Sequence, residues 1–198
     1  MDKSVFKIIV MALFVFVFSV LSLSKTGAAA QMVNYALTAA ISCTQPPIYN
    51  RTIDKIADGS YCKSDLTDMF QSCEPAAFPQ YITFDYGSTE IVVTELDIMC
   101  ANGKNMGICD FDIIYYNGVD WQTAQQNVTV SWNSVSGTVY EERKIVLSSF
   151  VKTNKLKIKV NSAKTTWNTW RIDEFQTWGY TPQNIAALAV ASTTAASG

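Results

Sequence analysis

The chain has 198 residues, with 15 Lys and Arg against 17 Asp and Glu, and no histidine. The basic residues are scattered rather than bunched, so the charge does not favour nucleic acid. Without histidine, and without a CxxC pair among the five cysteines, the usual zinc arrangements and the commonest general base are missing.

The first residues, "MDKSVFKIIVMALFVFVFSVLSLSKTGAAAQ", open with Lys3 and Lys7. An uncharged run from Ile8 to Ser24 follows, then small residues at Ala28–Ala30. Those three parts are expected of a secretory signal peptide over residues 1–30, cleaved after Ala30. The competing reading is a membrane anchor, for which the run is slightly short of about 20 residues. Cleavage takes away Lys3, Lys7, Lys25 and Asp2, moving the formal charge from −2 to −4. Residues 31–180 then make one domain of ordinary size. Residues 181–198, "TPQNIAALAVASTTAASG", read as an Ala-, Ser- and Thr-rich tail or linker.

Thr44 to Pro79 holds "TQPP", "ADG", two cysteines and "EPAAFP", with little alternation. A loop region of that length is expected to be functional or separately tied down. Alternation then takes over. "YITFDYG" (Tyr81–Gly87) sets Ile82 and Phe84 against polar neighbours, and "EIVVTELDIMC" (Glu90–Cys100) follows a Gly-Ser turn. "CDFDIIYY" (Cys109–Tyr116) closes on Asn117-Gly118, a strong hairpin signal. "NVTVSW" (Asn127–Trp132), "RKIVLSSF" (Arg143–Phe150) and "KLKIKV" (Lys155–Val160) come next, the last with Leu156, Ile158 and Val160 inward. "TWRIDEFQTW" ends the series, with Phe175 and Trp178 on opposite faces. Short strands at turn-marked spacing imply an all-β sandwich or barrel.

In a secreted chain the cysteines should pair, and five leaves one over. The short loops favour Cys62–Cys73 and Cys100–Cys109, leaving Cys43 free, buried or linked to another chain. Cys43–Cys62 and Cys43–Cys73 stay open.

In order, "NYALTAAIS" (Asn34–Ser42), "DKIADGS" (Asp54–Ser60), "FPQYITFDYGSTEIVVTELDI" (Phe78–Ile98), "FDIIYYNGVDWQTA" (Phe111–Ala124), "SSFVKTNKLKIKV" (Ser148–Val160) and "WRIDEFQTWG" (Trp170–Gly179) resemble the pieces of a discoidin domain. That is the coagulation-factor V/VIII C-type domain of the galactose-binding-like superfamily. The resemblance spans about residues 34–180 and implies a jelly-roll β-sandwich of about eight strands. The family's bracketing cysteine pair is absent. So are the basic and His residues of its fucose-binding subgroup, which argues against a fucose site of that type.

The resemblance also implies one structural Ca²⁺. Its ligands would be the carbonyls of Lys55 and Ser60, a carboxylate oxygen of Asp58, Glu174 and the carbonyl of Asp173, with Asp65 as an extra. Such a set suits an ion that takes six to eight oxygen ligands. The bland alternative is that Asp58 caps its Asp-Gly turn and Glu174 pairs with Arg171 or Lys55. Vertebrate coagulation-type members generally do without the metal.

Ligands in this family bind loops at one end of the sandwich. Here those loops are Thr44–Arg51, Cys62–Cys73, Ala101–Ile108 and Asn133–Glu142. They offer Tyr49, Tyr61, Met69 and Phe70, and the polar Asn102, Lys104 and Asn105, which suit sugar hydroxyls or an anionic head group. Phe70 folded onto the core is the structural alternative. Trp121 and Trp178 match core or strand-end positions of the family, whereas Trp132, Trp167 and Trp170 are open. Asn50 and Asn127 head N-glycosylation sequons. No GxSxG elbow is present, Asp110 and Asp112 read as solvent-facing, and Cys43 has no histidine to activate it, so an enzyme is not expected. The expected function is a secreted, non-catalytic module that binds carbohydrate or another cell-surface ligand such as a glycoprotein. One rival is an adhesion or structural protein, self-associating through Cys43. The other is a phospholipid binder using Met69, Phe70 and Met106 as lipid spikes.

Overall fold

The computed structural model describes residues 30–49, 51–60 and 69–184. The signal-peptide reading, the tail beyond 184, Asn50, Tyr61, Cys62 and Asp65 therefore lie outside the described residues. Residues 31–184 fold around two antiparallel sheets. The opening segment, expected as one strand, is broken. β1 (Val33–Asn34) joins one sheet, a 3-10 turn (Ala36–Thr38) intervenes, and β2 (Ala40–Cys43) joins the other. Asn34 fixes that crossing, because its Oδ1 accepts the N–H of Ala36 (3.1 Å) and of Thr177 (3.0 Å).

A second 3-10 turn (Ile53–Ile56) and β3 (Phe70–Gln71) precede the regular strands β4 (Gln80–Asp85), β5 (Ile91–Ala101), β6 (Ile108–Tyr116), β7 (Trp121–Thr129), β8 (Tyr140–Thr153) and β9 (Lys155–Ala163). A short helix, α1 (Gly103–Met106), links β5 to β6, and β10 (Arg171–Ile172) and β11 (Glu174–Tyr180) close the chain. One sheet runs β1-β11-β5-β8, the other β2-β4-β9-β6-β7, and β3 pairs with β10 beside them. The jelly-roll sandwich is thus a four-stranded sheet facing a five-stranded one.

Strict alternation builds β9. Leu156, Ile158 and Val160 are fully buried. The intervening lysines face out, where Lys155 meets Asp85 (2.7 Å) and Lys159 meets Asp112 (3.1 Å). Asp112 is buried by that contact and by accepting the Asn127 N–H (3.0 Å), so it is not the solvent-facing acid expected. Phe175 stacks on Phe84 across the sandwich, ring centroids 4.9 Å apart; each such fully buried ring contributes roughly 1.5–3 kcal/mol. The Asn117-Gly118 hairpin forms, with the Asn117 Oδ1 accepting the N–H groups of Val119 and Asp120 (both 2.8 Å). Because Tyr116 pairs with Trp121, β7 starts six residues earlier than its alternation suggested.

Trp178 and Phe175 do point to opposite faces. The Trp178 Nε1–H donates to Asp97 Oδ2 (2.8 Å) and to Gln176 Oε1 (3.1 Å) on the outer face of the four-stranded sheet. The β11–β5 register shifts directly after it, between Trp178 and Gly179. Trp121 is not core: it is exposed at the start of β7, with the Lys157 ammonium 3.6 Å from its ring centroid.

The pairing Cys100–Cys109 is not seen: both thiols are free, and their strands belong to different sheets. Cys100 is sealed at the end of β5, its thiol directed to the carbonyls of Ala101 and Arg171. Cys109 lies on β6 in the other sheet and directs its thiol to Gly107 O. Nearness along the chain is cancelled by the change of sheet. Cys43 and Cys73 are also free thiols, so Cys73 is not seen in its expected bridge to Cys62.

Candidate functional site

An open cleft of about 460 Å³ lies where the loop after β2, β3, α1 and the loop before β10 meet. Its rim carries two aromatic rings, Tyr49 (68 % exposed) and Trp167 (54 % exposed). The same lining includes the planar polar groups of Arg51, Gln71 and Asn102, and the buried Arg171.

These groups are held, not loose. Gln71 Oε1 accepts a short hydrogen bond from the Arg51 guanidinium, and its Nε2 donates to Thr169 Oγ1 (2.7 Å). Arg51 also lies 6.0 Å from the Tyr49 ring centroid. Arg171 is buried and grips Asp173 with two bonds, one of 2.8 Å from Nε and a shorter one from its terminal nitrogen; it also reaches Gly137 O (3.4 Å). The Asp173 Oδ2 further accepts the Ala101 N–H at 2.8 Å. Burial pushes the Asp173 pKa up, while Arg171, the Ala101 N–H and Arg51 pull it the other way. Met69 and Met106 fill the cleft's apolar base.

The backbone around the cleft is unusual. Tyr49, Asn102 and Asn168 all have positive φ, at 56°, 58° and 57°. Asn tolerates this region, but an aromatic residue there is an outlier that something must hold in place. Asn102 is stabilised because its carbonyl accepts the N–H groups of the last two residues of α1, Asn105 (3.0 Å) and Met106 (3.1 Å). Thr166 N–H then donates to Asn105 O (3.1 Å), which brings the Trp167 loop against α1.

Of the ligand residues expected from sequence, Tyr49, Asn102 and Met69 line this cleft. Asn105 stands behind Asn102, donating from Nδ2 to its Oδ1 (2.7 Å), and Lys104 is exposed outside the lining. Phe70 is corrected: it is fully buried, 5.2 Å from the Trp170 ring. With Met69 and Met106 also buried, none of the three expected lipid spikes projects from the surface. Arg51, Gln71, Trp167 and Arg171 were not expected as ligand contacts. Only Trp167, an aromatic in a polar loop, carried a local signal.

The calcium residues are placed as follows. Asp58 Oδ2 takes the Lys55 ammonium (2.7 Å) and its Oδ1 the Ser60 N–H (2.9 Å), the Asp-Gly turn cap. Glu174 is buried at the start of β11, which packs against the Ile53–Ile56 turn. The Asp173 carboxylate belongs to Arg171. Among the described residues no three acidic or thiol side chains converge, and the two aspartates are each already matched by a cation.

Solved structures supply the comparison. The chain resembles the family 32 carbohydrate-binding module of Clostridium perfringens NanJ, solved in complex with galactose. The TM-score is 0.59 at 14% identity, covering 75% of this chain and 99% of that one. It resembles the family 32 module of Streptococcus pneumoniae EndoD (TM-score 0.56, 16% identity, 73% and 98% covered). The serum fucolectin of striped bass, Morone saxatilis, is also similar (TM-score 0.55, 13% identity, 76% and 50% covered). The jelly-roll sandwich is the fold these modules share with this chain. No family model and no curated protein matches the chain, and at these identities the likeness speaks for the fold. The cleft lies among the connecting loops of this sandwich.

Proposed function

We propose that the chain is a secreted, non-catalytic carbohydrate-binding module whose site is the Tyr49–Trp167 cleft. The observation that carries this is one cleft lined by two exposed aromatic rings and by planar polar groups that hydrogen bonds hold in place. Sugars present apolar C–H faces that stack on rings and hydroxyls that need fixed donors and acceptors. Tyr49 and Trp167 supply the first; Arg51, Gln71 and Asn102 supply the second. Secretion rests on the charged, apolar and small-residue pattern of residues 1–30. The exposed Asn127, heading its sequon on β7, suits that setting.

Galactose in the NanJ module directs the first assay to galactosides. Trp167→Ala should lose about 1–2 kcal/mol, roughly 5–30-fold in Kd by titration calorimetry, while Trp121→Ala on the far sheet leaves binding unchanged. Equal losses in the two variants, or no glycan bound by the parent, would sink the assignment.

A structural Ca²⁺ at the Asp58 turn is a second, separable proposal, resting on Glu174 being buried at the start of β11, the strand that packs against the preceding Ile53–Ile56 turn. An ion there would replace the Lys55 ammonium on Asp58. EDTA should then lower Tm, and Glu174→Ala should remove the EDTA effect; an unchanged Tm discards the ion.

A further inference from the structure

Two of the free thiols sit on chain segments that the fold has already fastened together. Cys43 ends β2, and the next residue is clamped to β4: the Thr44 N–H donates to Tyr81 O and the Tyr81 N–H to Thr44 Oγ1, both at 3.0 Å. The chain then turns and runs antiparallel to β3, where the Ile48 N–H donates to Gln71 O (3.1 Å) and Pro47 bridges Ser72. Cys73 directly follows that bridge. Its own segment is held from the other side, since the Ser72 N–H donates to Trp170 O (3.0 Å) and the Trp170 N–H to Ser72 Oγ (3.1 Å).

Both thiols are half-buried and each is free. Burial raises the Cys43 pKa, the N–H groups of Gln45 and Thr44 lower it, and charge on Cys73 raises it again. The two thiols stand on neighbouring segments whose backbones are bonded through Pro47, Ile48, Gln71 and Ser72. Cys100 and Cys109 show no mutual pKa effect; their thiols answer to other groups.

We propose that Cys43 and Cys73 form an intramolecular disulfide that braces the two chain segments running into the cleft. The segment after Cys43 delivers Tyr49 and Arg51, and the segment before Cys73 delivers Met69 and Gln71. A bond at their shared base restricts how far those lips separate. The chemistry is thiol–disulfide exchange with a low-molecular-weight disulfide as oxidant. One cysteine thiolate attacks the oxidant and expels one thiol, giving a mixed disulfide. The second cysteine thiolate attacks the protein sulfur of that mixed disulfide and expels the second thiol. The oxidant gains the two electrons and two protons that the protein thiols lose. This proposal stands whether or not the cleft binds a glycan.

The test is disulfide mapping after equilibration of the full chain with oxidised glutathione. Trypsin leaves Cys43 before Arg51 and Cys62 before Lys63, but Cys73 and Cys100 share the segment ending at Lys104; cleavage before Asp85 separates them. The expected result is a cross-linked peptide joining Cys43 to Cys73, with two of the five thiols protected from alkylation. A Tm rise of about 5–10 °C over the reduced chain should accompany it, lost in Cys73→Ser. A peptide joining Cys62 to either partner, a dimer linked through Cys43, or five reactive thiols would each overturn the proposal.

Discussion

Asp97→Asn should stabilise this protein at neutral pH, and the reason is local. Asp97 sits at the middle of β5 on the outer face of the four-stranded sheet, only 3 % exposed. Its Oδ2 accepts the Trp178 indole N–H, and among the described residues its Oδ1 has no hydrogen-bond partner. Burial pushes its pKa from 3.8 up to about 6; Glu95 and Glu142 add to the rise, while Lys144 and Trp178 oppose it. Lys144 is itself drawn to Glu95 at 2.8 Å, so its charge is shared. A carboxyl whose folded pKa exceeds its unfolded value binds its proton more tightly when folded. Its contribution is best below about pH 4, is lost as pH rises through 6, and then stays as a constant cost. The gap of about two pH units corresponds to at most about 3 kcal/mol. Asparagine keeps the acceptor for Trp178 and removes the charge. We expect about 1–3 kcal/mol at pH 7.5, or a Tm rise of roughly 3–9 °C, shrinking towards zero at pH 4. Asp85, Asp112 and Glu141, whose pKa values are lowered, act in the opposite sense. The readout is therefore the difference between variant and parent across pH 4–8, by thermal or urea unfolding. A difference that does not change with pH, or a variant less stable at pH 7.5, refutes the reasoning.

Gly107→Ala should be poorly tolerated, because a Cβ there would sit 2.5 Å from Trp132 Nε1. That nitrogen donates to Ile108 O at 2.6 Å; forcing it away should cost about 1–3 kcal/mol in urea titration, whereas Gly87→Ala meets no neighbour in space and is strained only by its φ of +66°. Phe70→Ala should destabilise by about 3–5 kcal/mol and leave liposome sedimentation unchanged, since its ring packs on Trp170. A normal melting curve with altered lipid binding would reverse the burial assignment.

The strands were legible where one face is apolar and the other polar. Lys155 to Val160 declared both its conformation and its inward side, because the period of two admits one burial solution. β5 was legible as a strand but not as a doubly covered one. The acids on its outer face gave no sign that Asp97 would be shut in by Trp178. The cysteine pairing was illegible for a related reason. Loop length counts residues between two thiols, while the fold decides which sheet each strand joins. Cys100 and Cys109 are separated by that choice.

The cleft was half legible. Its loops and three of its residues, Tyr49, Met69 and Asn102, could be named from order alone, whereas Arg51 and Gln71 acquire meaning only through partners distant in sequence. Gln71 is the clearest case. It is a short-strand glutamine that looks unremarkable until it is bonded to Arg51, 20 residues before it, and to Thr169, 98 residues after it. Arg171, offered from sequence as a partner of Glu174, instead pairs with Asp173. That matters for what the cleft can recognise. A guanidinium committed to a buried carboxylate, with its remaining reach spent on Gly137 O, is a rigid group rather than a free charge. Arg51, steadied by Gln71 and Tyr49, then becomes the polar group best placed to choose among ligands. Arg51→Lys should separate the two roles: it keeps the charge but loses the planar fork. Discrimination between galactosides should fall with little change in Tm. A fall in Tm equal to that of Phe70→Ala would instead make Arg51 a structural residue.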